Sequence, residues 1–597
     1  MLVLGISAYY HDSAAALVHD GAIVAAAQEE RFSRKKADSS FPEHAIRYCL
    51  NQAGTNFDEL DFIGFYDKPI LTFDRLFETY LSYAPKGFGS FVQSIPIWIK
   101  EKLLIKDEIV KQLSQMDLGV LAAEKLLFGF HHNSHAASAF YPSPFEEAAI
   151  VVADGVGEWA TTSLVKGQGS KIEMLSEVRF PHSLGLLYSA FTQYLGFKVN
   201  DGEYKVMGLA PYGEPVYASR IRNHLIDVKP DGSFRLDMNY FNYCTGLTMI
   251  NDRFCDLFDE IPARNPATPL AQRDMDIARS IQEVIEEVIL LVCKEAHRLT
   301  GSKNLCLAGG VALNCVANAK VLKDGPFEKV WVQPASGDAG GALGIALQIA
   351  MCHGDPRQIA SDGRDSMAGA YLGPSFDDEE IRKTLDTCGA TYTKLLEEEL
   401  IEKVTEALST DKIVGWMQGR MEFGPRALGN RSILGNPRSI EMQKMLNMKI
   451  KYRESFRPFA PAILSDYCQE YFYLDVDSPY MLLVSDVREE HRLPLSSEAD
   501  KSEGIERLNF PRSTIPAITH VDYSARVQTV NKETNPLFHR LLSAFKAMTG
   551  CPILVNTSFN IRDEPIVCTA KDAYQCFMGT EMDVLAVGNF LLYKNEQ

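Results

Sequence analysis

Short apolar runs open the chain, and helical spacing takes over later. "MLVLGIS" (1–7) predicts a buried strand, "AAALVHDG" (14–21) a second strand ending in an Asp-Gly turn, and "AIVAAAQEERF" (22–32) a third. The same order of strand, acidic turn, strand, Gly-containing turn and strand returns in "EEAAIVVADGVGEWATTSLVKGQGSKIEMLSEV" (146–178). Both copies put Asp and polar or small residues at the first turn: His11 and Asp12 in one, Asp154 with Gly155 and Gly157 in the other. This is a weak internal repeat. Further on, Ile277, Ile281, Val284, Val288 and Val292 form one apolar stripe that stops at Gly301, which predicts an amphipathic helix.

Behind that helix, "NLCLAGGVALNCVANAKV" (304–321) runs from a short strand through Gly309-Gly310 into a small-residue helix. "VWVQPASGDAGGALGIALQIA" (330–350) repeats the device, with Asp338 in a Gly-bounded turn. Glycines at such turns admit a ligand close to the backbone, and a helix N-terminus offers N–H groups to an anion. Paired hairpins followed by such turns are the plan of the actin and sugar-kinase fold, in which the hairpins cradle nucleotide phosphates. The polar stretch 352–375 reads as a crossing, which sets a boundary near 360 and predicts domains 1–360 and 361–597.

"HHNSHAASAF" (131–140) carries the sharpest chemistry. On a helix, His131 and His135 lie on one face. Alone, that spacing reads more readily as one satisfied core histidine with the others facing water. Joined by Asp154 and Asp338, it becomes two imidazoles and two carboxylates, a set suited to iron, zinc or manganese. Downstream, Arg420, Arg426, Arg431 and Arg438 cluster against Glu422, and Lys449, Lys451, Arg453 and Arg457 against Glu454. Arginine's planar fork matches phosphate. Arg526, Asn556, Ser558, Asn560 and Arg562 add polar groups at predicted strand ends.

Composition narrows the picture. The 597 residues exceed one ordinary core, and the net charge of -18 argues against nucleic acid or an anionic membrane as a partner. Twelve cysteines without a C-x-x-C, and an N-terminus without a basic region and apolar run, lead us to expect a cytoplasmic protein. "FETYLSYAPKGFGSFVQSIPIWIKEKLL" (77–104) is expected to be helical core rather than the floor of an apolar pocket.

"YYHDSAAALV", "EERFSRKK", "HHNSHAASAFY", "DGVGEW", "EYKVMGLAPYG", "LAGGVALN", "SGDAGGALG", "GRMEFGPRALGNRSIL", "KYRESFRPFAP" and "NTSFNIRDEPIV" together resemble, in order from residue 2 to about 590, the signatures of the NodU/CmcH-type O-carbamoyltransferases. The resemblance implies an α/β protein with an actin-like (ASKHA) duplicated N-terminal domain, related to the tRNA threonylcarbamoyladenosine-forming proteins, and a YrdC-like α/β C-terminal domain. It implies that the second domain makes carbamoyladenylate from carbamoyl phosphate and ATP, with Mg. The first would then pass the carbamoyl group to a hydroxyl of a small-molecule acceptor, such as a natural product or sugar. His131, His135, Asp154 and Asp338 would hold the metal, iron foremost. His11 would be the base, and Asp12 would orient it or an acceptor hydroxyl. Lys36, Gly155, Gly157, Gly309, Gly310 and Asn314 would surround the nucleotide. Arg420, Lys451, Arg453, Arg457, Arg526, Asn560 and Arg562 would bind carbamoyl phosphate and ATP, with Arg426 structural. Two rival readings are threonylcarbamoyl transfer to tRNA, which the acidic chain disfavours, and an actin-fold nucleotide switch, which would need no arginine-rich second domain.

Overall fold

The computed structural model describes residues 1–99, 103–120, 122–357, 359–360, 362–495 and 502–597. The chain divides into two compact units, Met1–Glu29 with Ala37–Ser366, and Glu30–Lys36 with Met367–Gln597. The crossing falls six residues past the expected boundary. Asp365 accepts the Trp331 indole N–H at 2.9 Å and Ser366 N–H donates to Pro142 O, which bind the stretch to the first unit.

The first unit holds two five-stranded sheets of identical plan. In one, β1 (Leu2–Ser7), β2 (Ala14–His19), β3 (Ala22–Gln28), β4 (Phe62–Phe65) and β5 (Leu126–Phe128) run in the order β3-β2-β1-β4-β5. In the other, β6 (Glu147–Ala153), β7 (Ala160–Gln168), β8 (Lys171–Arg179), β9 (Asn304–Ala308) and β10 (Lys329–Val332) run β8-β7-β6-β9-β10. Each begins with an antiparallel three-strand meander and continues with two parallel strands. This is the duplicated actin-like fold, and its halves are the repeat seen in the sequence. The third predicted strand is shorter than expected: β3 stops at Gln28, and Glu30–Ser33 forms a helical turn.

Equivalent helices close the halves. α3 (His131–Phe140) follows β5, and α6 (Asp338–Cys352) follows β10. They cross where Gly344 meets Ser134; a Cβ at Gly344 would lie 1.8 Å from Ser134 O, so only glycine permits the approach. α6 packs on the first sheet, against Gly5 and Gly64. The amphipathic helix forms as predicted: α4 (Gln272–Thr300) buries Ile277, Ile281, Val284, Val288 and Val292 and ends at Gly301 in the left-handed region. α5 (Cys315–Asp324) follows the Gly309-Gly310 turn.

One expectation fails. α1 (Pro69–Tyr83) buries Thr72, Arg75 and Thr79 but exposes Ile70, Phe77 and Leu81, and α2 (Phe88–Trp98) buries no residue. The segment is therefore not core. Its aromatic rings pack on one another, as in Tyr80–Phe91 and Tyr80–Trp98, instead of on a sheet. Residues 100–102 of the same stretch lie outside the described residues.

The second unit is built on a nine-stranded mixed sheet. Its central strands are β12 (Val414–Met417), β13 (Arg431–Gly435), β14 (Ala460–Leu464), β16 (Ser524–Val530) and β17 (Ile553–Ser558), with β11 (Thr393–Lys394), β15 (Leu483–Asp486), β18 (Val584–Val587) and β19 (Phe590–Tyr593) outside them. Glu30–Lys36 is fixed to this unit by Arg31 Nη2 donating to Gly424 O at 2.8 Å and by Arg34 donating to Pro565 O and Ile566 O. Phe32 packs against Met421, Ala427, Ile566 and Cys568.

Candidate active site and metal centre

The two sheets of the first unit deliver their loops to one place. His131 and His135 come from the first two turns of α3, Asp154 from the β6–β7 turn and Asp338 from the first residue of α6. His131 Nε2 lies 3.1 Å from Asp154 Oδ2, 3.6 Å from Asp338 Oδ1 and 3.1 Å from His135 Nε2. His135 Nε2 lies 3.6 Å from Asp154 Oδ2 and 3.5 Å from Asp338 Oδ1. Donors about 2.0–2.2 Å from a tetrahedral cation stand ~3.3–3.6 Å from one another. The four side chains therefore have both the chemistry and the spacing to hold a divalent metal.

The surroundings fix these groups. Asp154 Oδ1 accepts the Gly310 N–H at 2.9 Å, and Tyr66 donates its hydroxyl to Asp338 Oδ2 at 3.4 Å. Gly309 makes the first of these possible: its φ is +86°, and a Cβ there would lie 2.2 Å from Ala153 O. His132 turns away and lies 2.7 Å from Ser163 Oγ; burial holds it well below the usual histidine range. His135 Nδ1 is buried without a hydrogen-bond partner.

Charge is concentrated here. Burial pushes the His131 imidazole down, but Asp338 and the contact with Asp154 outweigh it and raise it to about 10. His135 is also raised: burial opposes the shift, and the hydrogen bonds to Asp154 and Asp338 prevail. Burial would raise Asp154, yet His131 and His135 hold it well below the usual carboxylate range, and Asp338 is lowered in the same way, chiefly by His11 and His131. His11 stands at the rim, 28% exposed, with Nε2 3.8 Å from Asp338 Oδ2 and Nδ1 3.1 Å from Asp12 Oδ2. Burial lowers it, but Asp338 and the Asp12 contact raise it to about 9. The Tyr10 ring, 51% exposed, lies 4.5 Å from the His11 ring.

The expected nucleotide glycines divide. Space is open beside Gly155, whereas Gly157 packs against the rings of His131 and His132. Asn314 caps α5 by accepting the Ala317 N–H and exchanges hydrogen bonds with Gln282, so its amide serves the fold here. Lys36 lies in the second unit and is among the cations that depress Lys451, after burial, Arg453 and Arg457.

In that unit Lys451 is 2% exposed and donates to Ser558 O and Oγ and to Asn560 O and Oδ1. Arg453 bonds Asn447 Oδ1 at 2.7 Å and stacks over Phe459. Arg457 and Arg562 flank Glu454 at 3.9 and 4.0 Å. Arg420 donates to Leu372 O and Gly373 O, and Arg526 lies on β16 opposite Val484. Arg426 sits in the loop between β12 and β13. Two arginines of the basic run do structural work. Arg431 is fully buried and donates to five carbonyls, those of Pro374, Gln418, Gly419, Asn430 and Cys568. Arg438 donates to Asn436 Oδ1 and Thr549 O.

A duplicated actin-like unit carrying a buried His-His-Asp-Asp cluster, joined in one chain to a second α/β unit, makes this a two-unit α/β protein with a candidate metal centre. The chain belongs to the carbamoyltransferase family: residues 2–347 match "Carbamoyltransferase N-terminus" and residues 405–594 match "Carbamoyltransferase C-terminus". An uncharacterized Synechocystis protein is 58% identical over 598 residues, covering 100% of this chain and 97% of its own length. Nodulation protein NolNO of Sinorhizobium fredii is 35% identical over 591 residues, covering 98% of this chain and 79% of its own. Component A of the Acidaminococcus fermentans (R)-2-hydroxyglutaryl-CoA dehydratase aligns with 59% of this chain and 99% of its own at 14% identity and a TM-score of 0.31. The strand order, not that likeness, carries the fold. Among the described residues no helix is long and apolar enough to cross a membrane.

Proposed function

We propose that the protein is an ATP-dependent O-carbamoyltransferase whose two units divide the reaction. The second unit makes carbamoyladenylate from carbamoyl phosphate and ATP, releasing phosphate and pyrophosphate, with Mg as counter-ion. Arg453, Arg457, Arg526 and Arg562, together with Lys36 and Arg420, offer the cationic donors that phosphate oxygens require, while the buried Lys451, bonded to Ser558 and Asn560, shapes the loop that carries Arg562. The first unit then transfers the carbamoyl group to a small-molecule hydroxyl. The observation that carries this reading is the convergence of His131, His135, Asp154 and Asp338 beside His11 in a member of the carbamoyltransferase family.

His131, His135, Asp154 and Asp338 would hold a divalent cation, iron foremost, which would supply Lewis acidity and cancel carboxylate charge. Asp12 holds the His11 ring through Nδ1, which leaves Nε2 for the acceptor. In transfer, the acceptor oxygen bonds to the carbamoyl carbon, the bond from that carbon to the AMP oxygen breaks, and the hydroxyl proton passes to His11 Nε2. His11 must be neutral to act. Since Asp338 is the main group raising its pKa, neutralising that carboxylate frees the base at lower pH. Gly310 N–H keeps Asp154 oriented. Twelve cysteines, none of them in a disulfide among the described residues, fit a reducing, cytoplasmic setting.

The test separates the half-reactions. Pyrophosphate release from ATP should require carbamoyl phosphate. Arg562→Ala should abolish it, whereas His11→Ala should keep it and stop transfer to acceptors in a metabolite pool, read by mass spectrometry. Release of phosphate alone, without need of carbamoyl phosphate, refutes the reading.

A further inference from the structure

Glu158 follows Asp154 by four residues in the β6–β7 turn and is 5% exposed. Its Oε1 accepts two backbone N–H groups, from His131 at 2.9 Å and from Lys68 at 3.0 Å. His131 is the first residue of α3, and Lys68 is the cap residue before α1. One carboxylate oxygen therefore serves two helix N-termini, although burial and the Asp67 carboxylate outweigh those bonds and push the Glu158 pKa up to about 7. Other contacts stiffen the same turn: Arg75, on α1, donates to Gly157 O at 2.6 Å, and Gly157 N–H donates to Ala160 O at 2.9 Å. The turn thus carries one candidate ligand, Asp154, in its own sequence and grips a second, His131, through Glu158.

We propose that Glu158 is a positioning residue of the metal centre. It sets the His131 ring by holding that residue's own backbone, and it ties the ring to the first turn of α1. The inference rests on the four-ligand reading above. Partners that orient ligands typically change metal affinity by about 10–100-fold when lost.

Two variants of the full-length chain separate the bonds from the charge. Glu158→Gln keeps an acceptor oxygen at the same reach and loses the charge; Glu158→Asp keeps the charge and, one methylene shorter, cannot span both N–H groups. Metal-free protein is titrated with Co²⁺ and followed by ligand-field absorption. Glu158→Asp should bind about 10–100-fold more weakly with an altered spectrum, and Glu158→Gln should stay near the wild type. Wild-type affinity and spectrum in Glu158→Asp would overturn the proposal, as would a loss in Glu158→Gln equal to that in Glu158→Asp. Crystal structures of metal-free wild type and Glu158→Asp decide the point without metal uptake. His131 Nε2 should move from Asp154 Oδ2 by more than the ~0.5 Å that such sites tolerate, and an unmoved ring would overturn the proposal. Failure of the wild type to take up Co²⁺ would instead strike the metal reading, leaving the crystal comparison to judge Glu158.

Discussion

Metal uptake should be steeply pH-dependent well above the ordinary histidine range. In the metal-free centre His131 keeps its proton up to about pH 10, and His135 is raised as well, because two ionised carboxylates hold these protons where a cation would sit. A metal ligand must be neutral imidazole, so binding expels the proton. For His131 at pH 7 that costs about 4 kcal/mol, at ~1.4 kcal/mol for each pH step below its pKa. Affinity should therefore climb about tenfold for each pH step from 7 to 9, and up to about a hundredfold if His135 also releases its proton. Unperturbed histidines, with pKa about 6.5, would give a nearly flat profile over that range. Chelator-buffered Zn²⁺ titrations at pH 7, 8 and 9 measure the slope, and calorimetry in two buffers of different ionisation enthalpy counts the protons. A flat affinity with no proton release would refute the electrostatics. The same raised pKa makes a linked statement about metal-free stability: the contribution of protonated His131 is complete below about pH 6.5 and lost as pH rises through about 10.

Arg431→Met should destabilise the second unit by at least ~3 kcal/mol in urea, because five buried carbonyls lose their donor at about 1–3 kcal/mol each with partial relaxation. Gly309→Ala should cost about 2 kcal/mol or more and weaken metal retention, since a Cβ would strike Ala153 O and shift the N–H that holds Asp154; unchanged retention on dialysis against EDTA would count against the role given to Gly310. Phe88→Ser with Val92→Ser should shift stability by under about 0.5 kcal/mol per site, because α2 buries nothing; a core-sized loss in Tm would show that this face is covered.

Legibility in the sequence followed locality. The His131–His135 spacing is a property of one helix, and the two hairpins repeat as patterns, so both could be read directly. The convergence of Asp154 and Asp338 on those histidines depends on long-range pairing of β9 with β6 and β10, and only the likeness to a known plan made it foreseeable. Arginines deceived for a related reason. Arg431 and a phosphate-binding arginine look alike in a basic run, and what distinguishes Arg431 is five carbonyls contributed from residues 374 to 568. Glu158 carried a faint signal, an acidic residue in "DGVGEW" just after Asp154, but its partners are backbone N–H groups that no side-chain pattern announces. The apolar composition of residues 88–98 pointed to burial, yet burial needs a facing surface, and composition does not say whether one exists.

Duplication explains why the cluster is where it is. The strand orders place the β1–β2 loop and the β6–β7 turn at equivalent positions, and likewise the starts of α3 and α6. His131 and Asp338, each the first residue of its helix, are thus counterparts, whereas His11 and Asp154 stand at different places in two six-residue loops, 8–13 and 154–159. An ancestral half with one polar hairpin turn and one polar helix start would, on pairing, bring four such positions together at the strand ends. His135, one helical turn beyond His131, is the ligand that duplication does not supply. The close crossing of α3 and α6 at Gly344 locks the two helix starts together, so the distance from His131 to Asp338 is set by backbone contact between halves rather than by flexible loops. A bulkier residue at 344 would part the helices and open the centre while leaving each half's strands paired, which is why the glycine belongs to the site as much as the ligands do.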